Sequence, residues 1–456
     1  MAQEKNGIVE NKRVNVVSRR DFIKTAGAAA VSAGLGANII IPGRARADRK
    51  KLKIHTRGHW MPSYDEWFDN TYVKEWGEKN DTEVIVDHRT IGMMGVAGAE
   101  VKAQKGHDLF IFFWVPAAFE EHVIDHREIY RECEKRYGKA IPLAIKSTYN
   151  PRTKKYFGFP KSYNPYLISY RKDLWDGVAM YPNTWEDVRV GGAKIKQKYG
   201  NPVGISISKG CWDSKWSMRA IMHSYGASVQ DEEGNVVINS KQTLEAVKFV
   251  RALYQEAMTP EVLKWLPTSN NRFMLAGKGS LTANHPSITR EAENLKLAEM
   301  SKKICLAKPP AGPMRRMSEP MADVSVIWKF AENIEGAKQF LVDFTGNFRD
   351  AFIASEFYDF PCFPDTVPDL NKLTANDPKA DPPDKYKVLE DVQEWTANPG
   401  YPGYANAAID EIFFTHVVTV MFVKAVTGEA TPEDAIKEAE AKCKRIFAAW
   451  KKKGLV

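Results

Sequence analysis

Short apolar segments alternate with helical patterns in the early part of the chain, and this alternation constrains the fold more than any other feature. Residues 51–56 alternate apolar and polar side chains as a strand does, and residues 83–86 and 108–113 are short apolar runs. Between them, residues 65–79 place aromatic side chains at helical spacing, and residues 100–105 finish a second helical pattern. The order strand, helix, strand, helix, strand predicts an α/β fold with an open parallel sheet flanked by helices.

The loops after these predicted strands are candidates for a binding site, because open parallel sheets bind ligands at the carboxyl ends of their strands. The first loop is Arg57-Gly58-His59-Trp60 and the third is Trp114-Val115-Pro116. The second contains a cluster of glycines, Gly92, Gly95 and Gly98. Two of the three loops present a tryptophan, which indicates an aromatic wall for the ligand.

Length and charge bound the number of domains and the class of partner. The chain has 456 residues and a net charge of +8, of which residues 1–47 carry +5 and the remainder +3. The basic balance is therefore largely a property of the N-terminal segment and gives no reason to expect nucleic-acid binding. The 409 residues that follow are too many for one ordinary core and predict two domains.

Cysteine usage gives no support for a metal or redox centre. The cysteines are five in number and none forms a C-x-x-C pair, so neither a zinc site nor a thioredoxin-like centre is indicated. We expect buried free thiols, while an oxidising compartment would allow one or two disulfides whose pairing the sequence leaves open. The five are Cys133, Cys211, Cys305, Cys362 and Cys443.

The first 47 residues resemble a twin-arginine export signal. Arg19-Arg20 precede a weakly apolar run rich in Ala and Gly, and the small-x-small site Ala45-Arg46-Ala47 follows it. Such a signal sends a folded protein across a bacterial inner membrane and is then removed. A transmembrane anchor is the alternative, which four glycines within residues 27–43 disfavour. We expect a soluble periplasmic protein that begins near Asp48.

A series of short motifs follows in a characteristic order and spacing. The motifs are Gly106-His107-Asp108-Leu109, Tyr156-Phe157-Gly158-Phe159-Pro160, residues 167–174, residues 181–187, Tyr225-Gly226-Ala227, residues 231–234 with Asn239-Ser240, and residues 273–281. Together they resemble family 1 extracellular solute-binding proteins of ABC importers, of the maltose- and sugar-binding type. His107 and Arg171 depart from that pattern, which usually has proline and asparagine at these positions.

The resemblance implies two α/β lobes, each an open and mostly parallel sheet flanked by helices, joined by crossing hinge strands. Lobe one would comprise residues 48–168 and 284–325, and lobe two residues 169–283 and 326–456. The ligand would lie in the cleft, and the lobes would close on it because contacts from both lobes exist together only in the closed state.

Hinge, partner and cofactor expectations follow from the same resemblance. The hinge candidates are the crossing segments Leu167-Ile168-Ser169 and Val324-Ser325-Val326. The partners would be a small carbohydrate or polyol and the transmembrane permease of an ABC importer. We expect a monomer that binds no nucleic acid and requires no cofactor or metal.

Aromatic residues in predicted loops, rather than on apolar helix faces, are the candidate ligand contacts. A flat ring suits the C–H face of a sugar, while nearby polar groups take its hydroxyls. Charges of both signs near the predicted cleft favour a neutral ligand over a polyanion. The predicted ligand-binding residues are Arg57, His59, Trp60, Trp114, Tyr163, Trp212, Asp213, Asn284 and Tyr401.

Several alternatives remain open at this point. Any of the loop tryptophans could instead cap a hydrophobic core, and Asp213 could simply be a helix N-cap. Arg57 could hold a sugar acid, while a polyamine would require several carboxylates in the cleft.

A periplasmic enzyme acting on a carbohydrate-like substrate is a second class of function, and a membrane or cell-wall scaffold protein, which the scattered charge and the absence of sequence repeats disfavour, is a third. The motifs G-x-S-x-G, H-E-x-x-H and G-x-G-x-x-G do not occur, and Arg272 stands where a P-loop with Gly277-Lys278 as its Gly-Lys pair needs its first glycine. His122 and His126 have a spacing that can hold a metal, but the acidic residues beside them favour a solvated surface patch.

A helix with clear start and stop signals ends the chain. Thr431 is its predicted N-cap, Pro432 takes the first position, and Lys451-Lys452-Lys453 complement the negative helix end. The predicted buried stripe is Ala435, Ile436, Ala439, Cys443, Ile446 and Phe447. We interpret this helix as structural.

Overall fold

The computed structural model describes residues 49–90 and 92–456, and strands and helices alternate through them. The strands are β1 Lys50–Thr56, β2 Thr82–His88, β3 Leu109–Phe112, β4 Tyr149–Asn150, β5 Lys155–Tyr156, β6 Phe159–Asn164, β7 Leu167–Arg171, β8 Leu281–Asn284, β9 Ile304–Ala307 and β10 Met321–Ile327. The helices are α1 Pro62–Trp67, α2 Val73–Lys79, α3 Met93–Ala103, α4 Arg127–Tyr137, α5 Pro142–Thr148, α6 Lys172–Asp176, α7 Trp185–Tyr199, α8 Asp213–Ser224, α9 Lys241–Ala257, α10 Ser269–Leu275, α11 Ser287–Asn294, α12 Ala298–Lys303, α13 Ile334–Gly346, α14 Phe348–Ala354, α15 Leu370–Ala375, α16 Ala407–Phe414, α17 Val417–Thr427 and α18 Pro432–Lys452.

The first sheet has five strands in the order β2-β1-β3-β10-β6. Strand β1 pairs in parallel with β2 and β3, as the strand–helix–strand pattern predicts, because a parallel return requires a crossover connection. Strand β10 runs antiparallel to both of its neighbours, β3 and β6. All four residues of β3 are buried, which agrees with its continuous apolar sequence.

The helix predicted over residues 65–79 is interrupted by a π-helical segment, Phe68–Tyr72, that separates α1 from α2. Aromatic side chains of this region, including Phe68 and Tyr72, pack edge-on against Phe340 of α13, and this packing covers one side of the first sheet. In the second predicted loop only Gly92 precedes α3; Gly95 and Gly98 lie within that helix.

The second sheet has three strands in the order β8-β7-β9, with helices around it. The predicted α/β class with two sheets flanked by helices is confirmed. Within this second sheet, however, the pairing is antiparallel, because the central strand β7 runs opposite to both β8 and β9. Val203 adds an isolated parallel bridge to Leu281 at the start of β8.

The crossings between the sheets lie outside the predicted hinge segments. Leu167–Ser169 lies within β7 and Val324–Val326 within β10, so both segments are paired strand. The chain instead leaves the first sheet after β6 at residues 165–166 and returns between β9 and β10 at residues 308–320.

The predicted lobe boundaries differ from the packing in two places. Strands β8 and β9 bring residues 284–307 to the second sheet, although the boundary placed them in lobe one. Helices α13 and α14 pack against α4, β10 and α1 beside the first sheet, although residues 326–456 were predicted to lie in lobe two. Helix α13 belongs there because Phe340 and Phe344 fill the aromatic cluster formed by residues 64–76.

Of the remaining structural expectations from the sequence, those for the last helix and the cysteines agree with the structure and that for His126 does not. Thr431 accepts a hydrogen bond from the backbone N–H of Asp434 (3.1 Å), and the predicted stripe of α18 is buried. The five cysteines are buried and unpaired. His126 is not on a surface patch: it is fully buried, and its Nε2 accepts a hydrogen bond from the backbone N–H of Ile327 (3.0 Å).

Among residues 49–90 and 92–456, no helix combines the length and hydropathy needed to cross a membrane. The predicted export signal, residues 1–47, lies outside the described residues.

Candidate functional site

A cavity of about 450 Å³ lies between the loops of the two sheets. The residues that line it on the side of the first sheet are Arg57, Trp60, Thr90, Gly92, Phe113, Met321 and Tyr358. Those on the side of the second sheet are Trp212, Asp213, Trp216, Pro267, Thr268, Asn270, Asn271, Asn284, His285 and Ser287. A ligand held here would contact both halves of the molecule at once.

The parallel strands place three of these lining groups at one edge of the first sheet. Arg57 follows β1 directly, Phe113 follows β3, and Gly92 stands between β2 and α3. Gly92 has φ of 78°, a left-handed conformation that glycine adopts without the strain other residues incur. The expectation that the carboxyl ends of β1, β2 and β3 form one wall of the cavity therefore matches the geometry.

Five of the nine predicted ligand-binding residues line this cavity. They are Arg57, Trp60, Trp212, Asp213 and Asn284. Trp60 is 41% exposed, so much of its ring surface is free to be covered by a ligand. Trp212 meets Phe113 edge-on, with ring centroids 5.0 Å apart, so an aromatic contact joins the two walls.

The other four predicted residues lie elsewhere. Trp114 is 1% exposed and stacks on Phe413 of α16 at a centroid distance of 3.7 Å, so it is a core residue. Tyr163 and Tyr401 line a different and smaller cavity of about 190 Å³. The side chain of His59 is buried, where its Nε2 lies 3.1 Å from the carboxylate of Asp359.

Two residues outside the nine predicted contacts, Trp216 and His285, also line the cavity. Trp216 Nε1 is a buried donor with no hydrogen-bond partner within the described residues. His285 Nδ1 lies 3.1 Å from the carbonyl oxygen of Pro165, an arrangement in which Nδ1 donates and Nε2 is left as an acceptor. His285 Nε2 is likewise buried without a partner in the described part of the chain.

This pair offers one unused donor and one unused acceptor beside aromatic rings. Burial lowers the pKa of His285 to about 3, so the imidazole is neutral at physiological pH and its Nε2 can accept. The ring centroids of His285 and Trp216 are 5.1 Å apart. Such a combination suits a hydroxyl group, which both donates and accepts.

The signal for Trp216 was present in the sequence as its spacing. It stands four residues after Trp212, at the start of α8, and residues four apart share one face of a helix. His285 follows the predicted contact Asn284 directly, at the end of β8.

A buried network of charges lies behind the cavity wall on the side of the first sheet. Arg57 donates from Nη2 to Oδ2 of Asp323 (3.1 Å), and Lys161 donates from Nζ to Oδ2 of Asp359 (2.8 Å). The Nζ atom of Lys161 also lies 3.7 Å from Oδ2 of Asp323, which links the two pairs. Asn164 donates to Asp359 as well (2.6 Å).

These charges neutralise one another. Burial alone would lower the pKa of Arg57 and of Lys161, but the two aspartates raise both pKa values above their ordinary range. Burial would raise the pKa of Asp359, but Lys161 and His59 hold it well below its usual value. Two cations therefore face two carboxylates, and the wall presents no net charge to a ligand.

Among the described residues, Asp213 is the one carboxyl group that lines the cavity itself. It begins α8, and its Oδ2 accepts a hydrogen bond from Nδ2 of Asn270 (3.1 Å). Burial raises the pKa of Asp213 to about 6, while the hydrogen bonds from Cys211 and Asn270 limit the rise. The group is therefore largely a carboxylate at pH 7 and becomes a neutral acid as the pH falls below 6.

The match to a family model covers the core of this architecture. Residues 134–358 match the model of the bacterial extracellular solute-binding protein family. The matched segment includes every residue named above for the second-sheet wall, and Tyr358 and Met321 from the other wall. A binding protein of Brucella abortus strain 2308 is 23% identical over 309 residues, which is 64% of this chain and 68% of that protein.

Solved structures share the fold over most of the chain. A maltose-bound MalE3 of T. maritima has a TM-score of 0.69 and 21% identity, covering 87% of this chain and 99% of the other. A sugar transporter of Arthrobacter chlorophenolicus A6 with bound laminaribiose has a TM-score of 0.72, 15% identity and the same coverage. A solute-binding protein of Agrobacterium radiobacter K84 in complex with ribitol has a TM-score of 0.66 and 16% identity, covering 87% and 99%. The fold of this chain is thus the two-lobe fold of periplasmic binding proteins.

Proposed function

We propose that this protein captures a neutral sugar or sugar-like polyol outside the cytoplasm and delivers it to the permease of an ABC importer. The observation that carries the proposal is the cavity between the two sheets, which aromatic side chains line and which Trp216 and His285 border, each with a ring nitrogen that has no partner within the described residues. Polyhydroxylated rings present both C–H faces and hydroxyl groups, and this cavity offers a partner for each. The sugar and polyol ligands of the similar solved structures support the same class.

The internal pairing of charge argues for a neutral ligand. A sugar acid would need a free cation, but Arg57 is already engaged by Asp323. A polyamine would need several carboxylates in the cavity, and Asp213 alone lines it. A ligand of either kind would have to break a buried ion pair or remain uncompensated, and both are costly.

Capture would proceed by closure of the two lobes on the ligand. Trp60 and Arg57 approach from the first sheet, and Trp212 and Asn284 from the second, so the full set of contacts exists only when the walls are together. The passages at residues 165–166 and 308–320 join the sheets, and they are the segments that would bend.

Export and assembly complete the proposal. We infer that residues 1–47 direct the folded protein through the twin-arginine route and are removed near Ala47. The mature chain would act as a monomer in the periplasm, and the closed form would be the one that the permease recognises.

A thermal-shift screen tests the ligand class directly. Purified protein is heated with monosaccharides, disaccharides, polyols, sugar acids and polyamines, each in excess. A ligand at one hundred times its Kd stabilises the folded state by about 2.7 kcal/mol, which raises the melting temperature. A shift with neutral sugars or polyols is the expected result, whereas a shift confined to sugar acids or polyamines would overturn the neutral-ligand proposal.

A further inference from the structure

The side chain of Lys215 lies in an unusual position directly behind the tryptophan that lines the cavity. Lys215 is 2% exposed, and its Nζ has no hydrogen-bond partner within the described residues. Its ammonium group instead lies over aromatic rings, 3.9 Å from the ring centroid of Trp212, 4.3 Å from that of Phe413 and 5.2 Å from that of Phe414. An ammonium without hydrogen bonds is costly to bury, so the rings are its main compensation.

The groups around Lys215 leave it without a direct ion pair. Arg219 is the cation one turn further along α8, and Asp410 on α16 is the carboxyl group that acts on it. The Oδ2 of Asp410 accepts a hydrogen bond from the backbone N–H of Ala118 (2.9 Å), while its Oδ1 has no partner within the described residues. Burial raises the pKa of Asp410 to about 8, so this group and Lys215 titrate in the same pH range. His416, at the start of α17, is the remaining titratable neighbour, and burial lowers its pKa to about 4.

Trp212 is contacted from several sides. It lines the cavity, the Lys215 ammonium lies 3.9 Å from its ring centroid, and Phe113 meets it edge-on from the first sheet. Phe414 of α16 also meets it edge-on, at a centroid distance of 5.9 Å. Within the described part of the chain, Lys215 is the only cation that lies over the Trp212 ring.

We propose that Lys215 is a positioning residue of the binding site, whose ammonium holds the indole of Trp212 in place as a cavity wall. This inference rests on the proposed function, because it assigns Lys215 a role in the affinity of that same site. Burial and the nearby Arg219 lower the pKa of Lys215 to about 7, and Asp410 partly opposes this. The ammonium is therefore present below pH 7 and is lost as the pH rises from 6 to 8, so the ring should be held more firmly in the lower part of that range.

The test uses the Trp212 indole N–H signal in ligand-free protein, assigned with Trp212→Phe in ¹⁵N-labelled samples. The wild-type signal is expected to shift with a midpoint near pH 7. Lys215→Met keeps the length and apolar stem of the side chain but removes the charge, and should abolish that transition. Asp410→Asn removes the neighbouring carboxylate and should move the midpoint to lower pH. Lys209→Met, at an exposed lysine of the loop that precedes α8, is the matched control and should leave the curve unchanged.

Affinity is measured separately, by calorimetry with laminaribiose, maltose and ribitol as probes. For any probe that binds, Lys215→Met should weaken binding at pH 6 by about tenfold, and Lys215→Arg should restore it without the fall between pH 6 and 8. The inference would be overturned if the pH transition of the Trp212 indole signal persisted in Lys215→Met, or if it vanished only in Asp410→Asn. Because the indole signal is followed without ligand, failure of all probes to bind would count against the proposed function and not against the role of Lys215.

Discussion

Replacing Trp60 by alanine should weaken sugar binding while leaving the ligand-free protein folded. Trp60 lines the cavity and is 41% exposed. A tryptophan side chain buries up to about 250 Å² when fully covered, so ~100 Å² remains for a ligand to cover. At ~25 cal/mol per Å² the upper limit is ~2.5 kcal/mol, and a ligand covering half of that surface would gain ~1.2 kcal/mol. The expected loss is thus close to tenfold in Kd.

Trp114 provides the matched control, because it follows β3 much as Trp60 follows β1 but is buried against Phe413. Trp114→Ala should lower the free energy of unfolding by about 3–5 kcal/mol through the cavity it leaves. Both variants are measured for apo melting temperature and for calorimetric affinity towards the sugar with the largest thermal shift. A Trp60→Ala protein with normal affinity and a lowered melting temperature would refute the assignment of Trp60 to the ligand.

Three further outcomes follow from the charges, the signal and the lobes. Asp213→Asn should stabilise the free protein more at pH 7 than at pH 4, by about 2.4 kcal/mol, because a carboxyl group whose pKa is raised to about 6 on folding destabilises the folded state increasingly as the pH rises from 4 to 6; equal melting-temperature differences at both pH values would contradict this. Changing Arg19 and Arg20 to lysine should retain the precursor in the cytoplasm, and normal periplasmic export in a fractionation assay would exclude the twin-arginine route. Saturating ligand should reduce the radius of gyration in small-angle scattering, and an unchanged radius with proven binding would argue against lobe closure.

Local periodicity was enough to predict the first wall of the site. The pattern of residues 51–113 predicted three parallel strands, and the rule that ligands bind beyond the carboxyl ends of such strands then selected Arg57 and Trp60. Trp212 and Asp213, in the loop before α8, were predicted instead from the two-lobe architecture that the family resemblance implies. All four residues line the cavity.

Trp114 shows why the same reasoning fails elsewhere. Trp114 lies in a loop next to a strand, and Trp212 lies in a loop next to a helix. Nothing in the ten residues around either tryptophan shows whether its loop is open to solvent or covered by another segment. The difference is made by α16, about three hundred residues later, whose Phe413 stacks on Trp114 and whose Asp410 accepts the N–H of Ala118. Contacts between distant segments leave no periodic pattern in the local sequence. When such contacts bury a side chain, the hydrophobic pattern alone cannot predict that burial.

The lobe boundary fails for a related reason. The sequence pattern of a strand predicts that it pairs with other strands, but not which sheet it joins. Strands β9 and β10 are both wholly buried segments, so their patterns do not distinguish them. Strand β9 pairs with β7, while β10, only fourteen residues later, enters between β3 and β6. The segment between them must therefore pass from one sheet to the other, and it carries Glu319, which is fully buried against Arg219 of α8 at 3.4 Å. This ion pair joins the crossing segment to α8, the helix that contains Trp216 and begins directly after Trp212. Bending of the crossing segment is thereby connected to the position of these two tryptophans in the cavity wall.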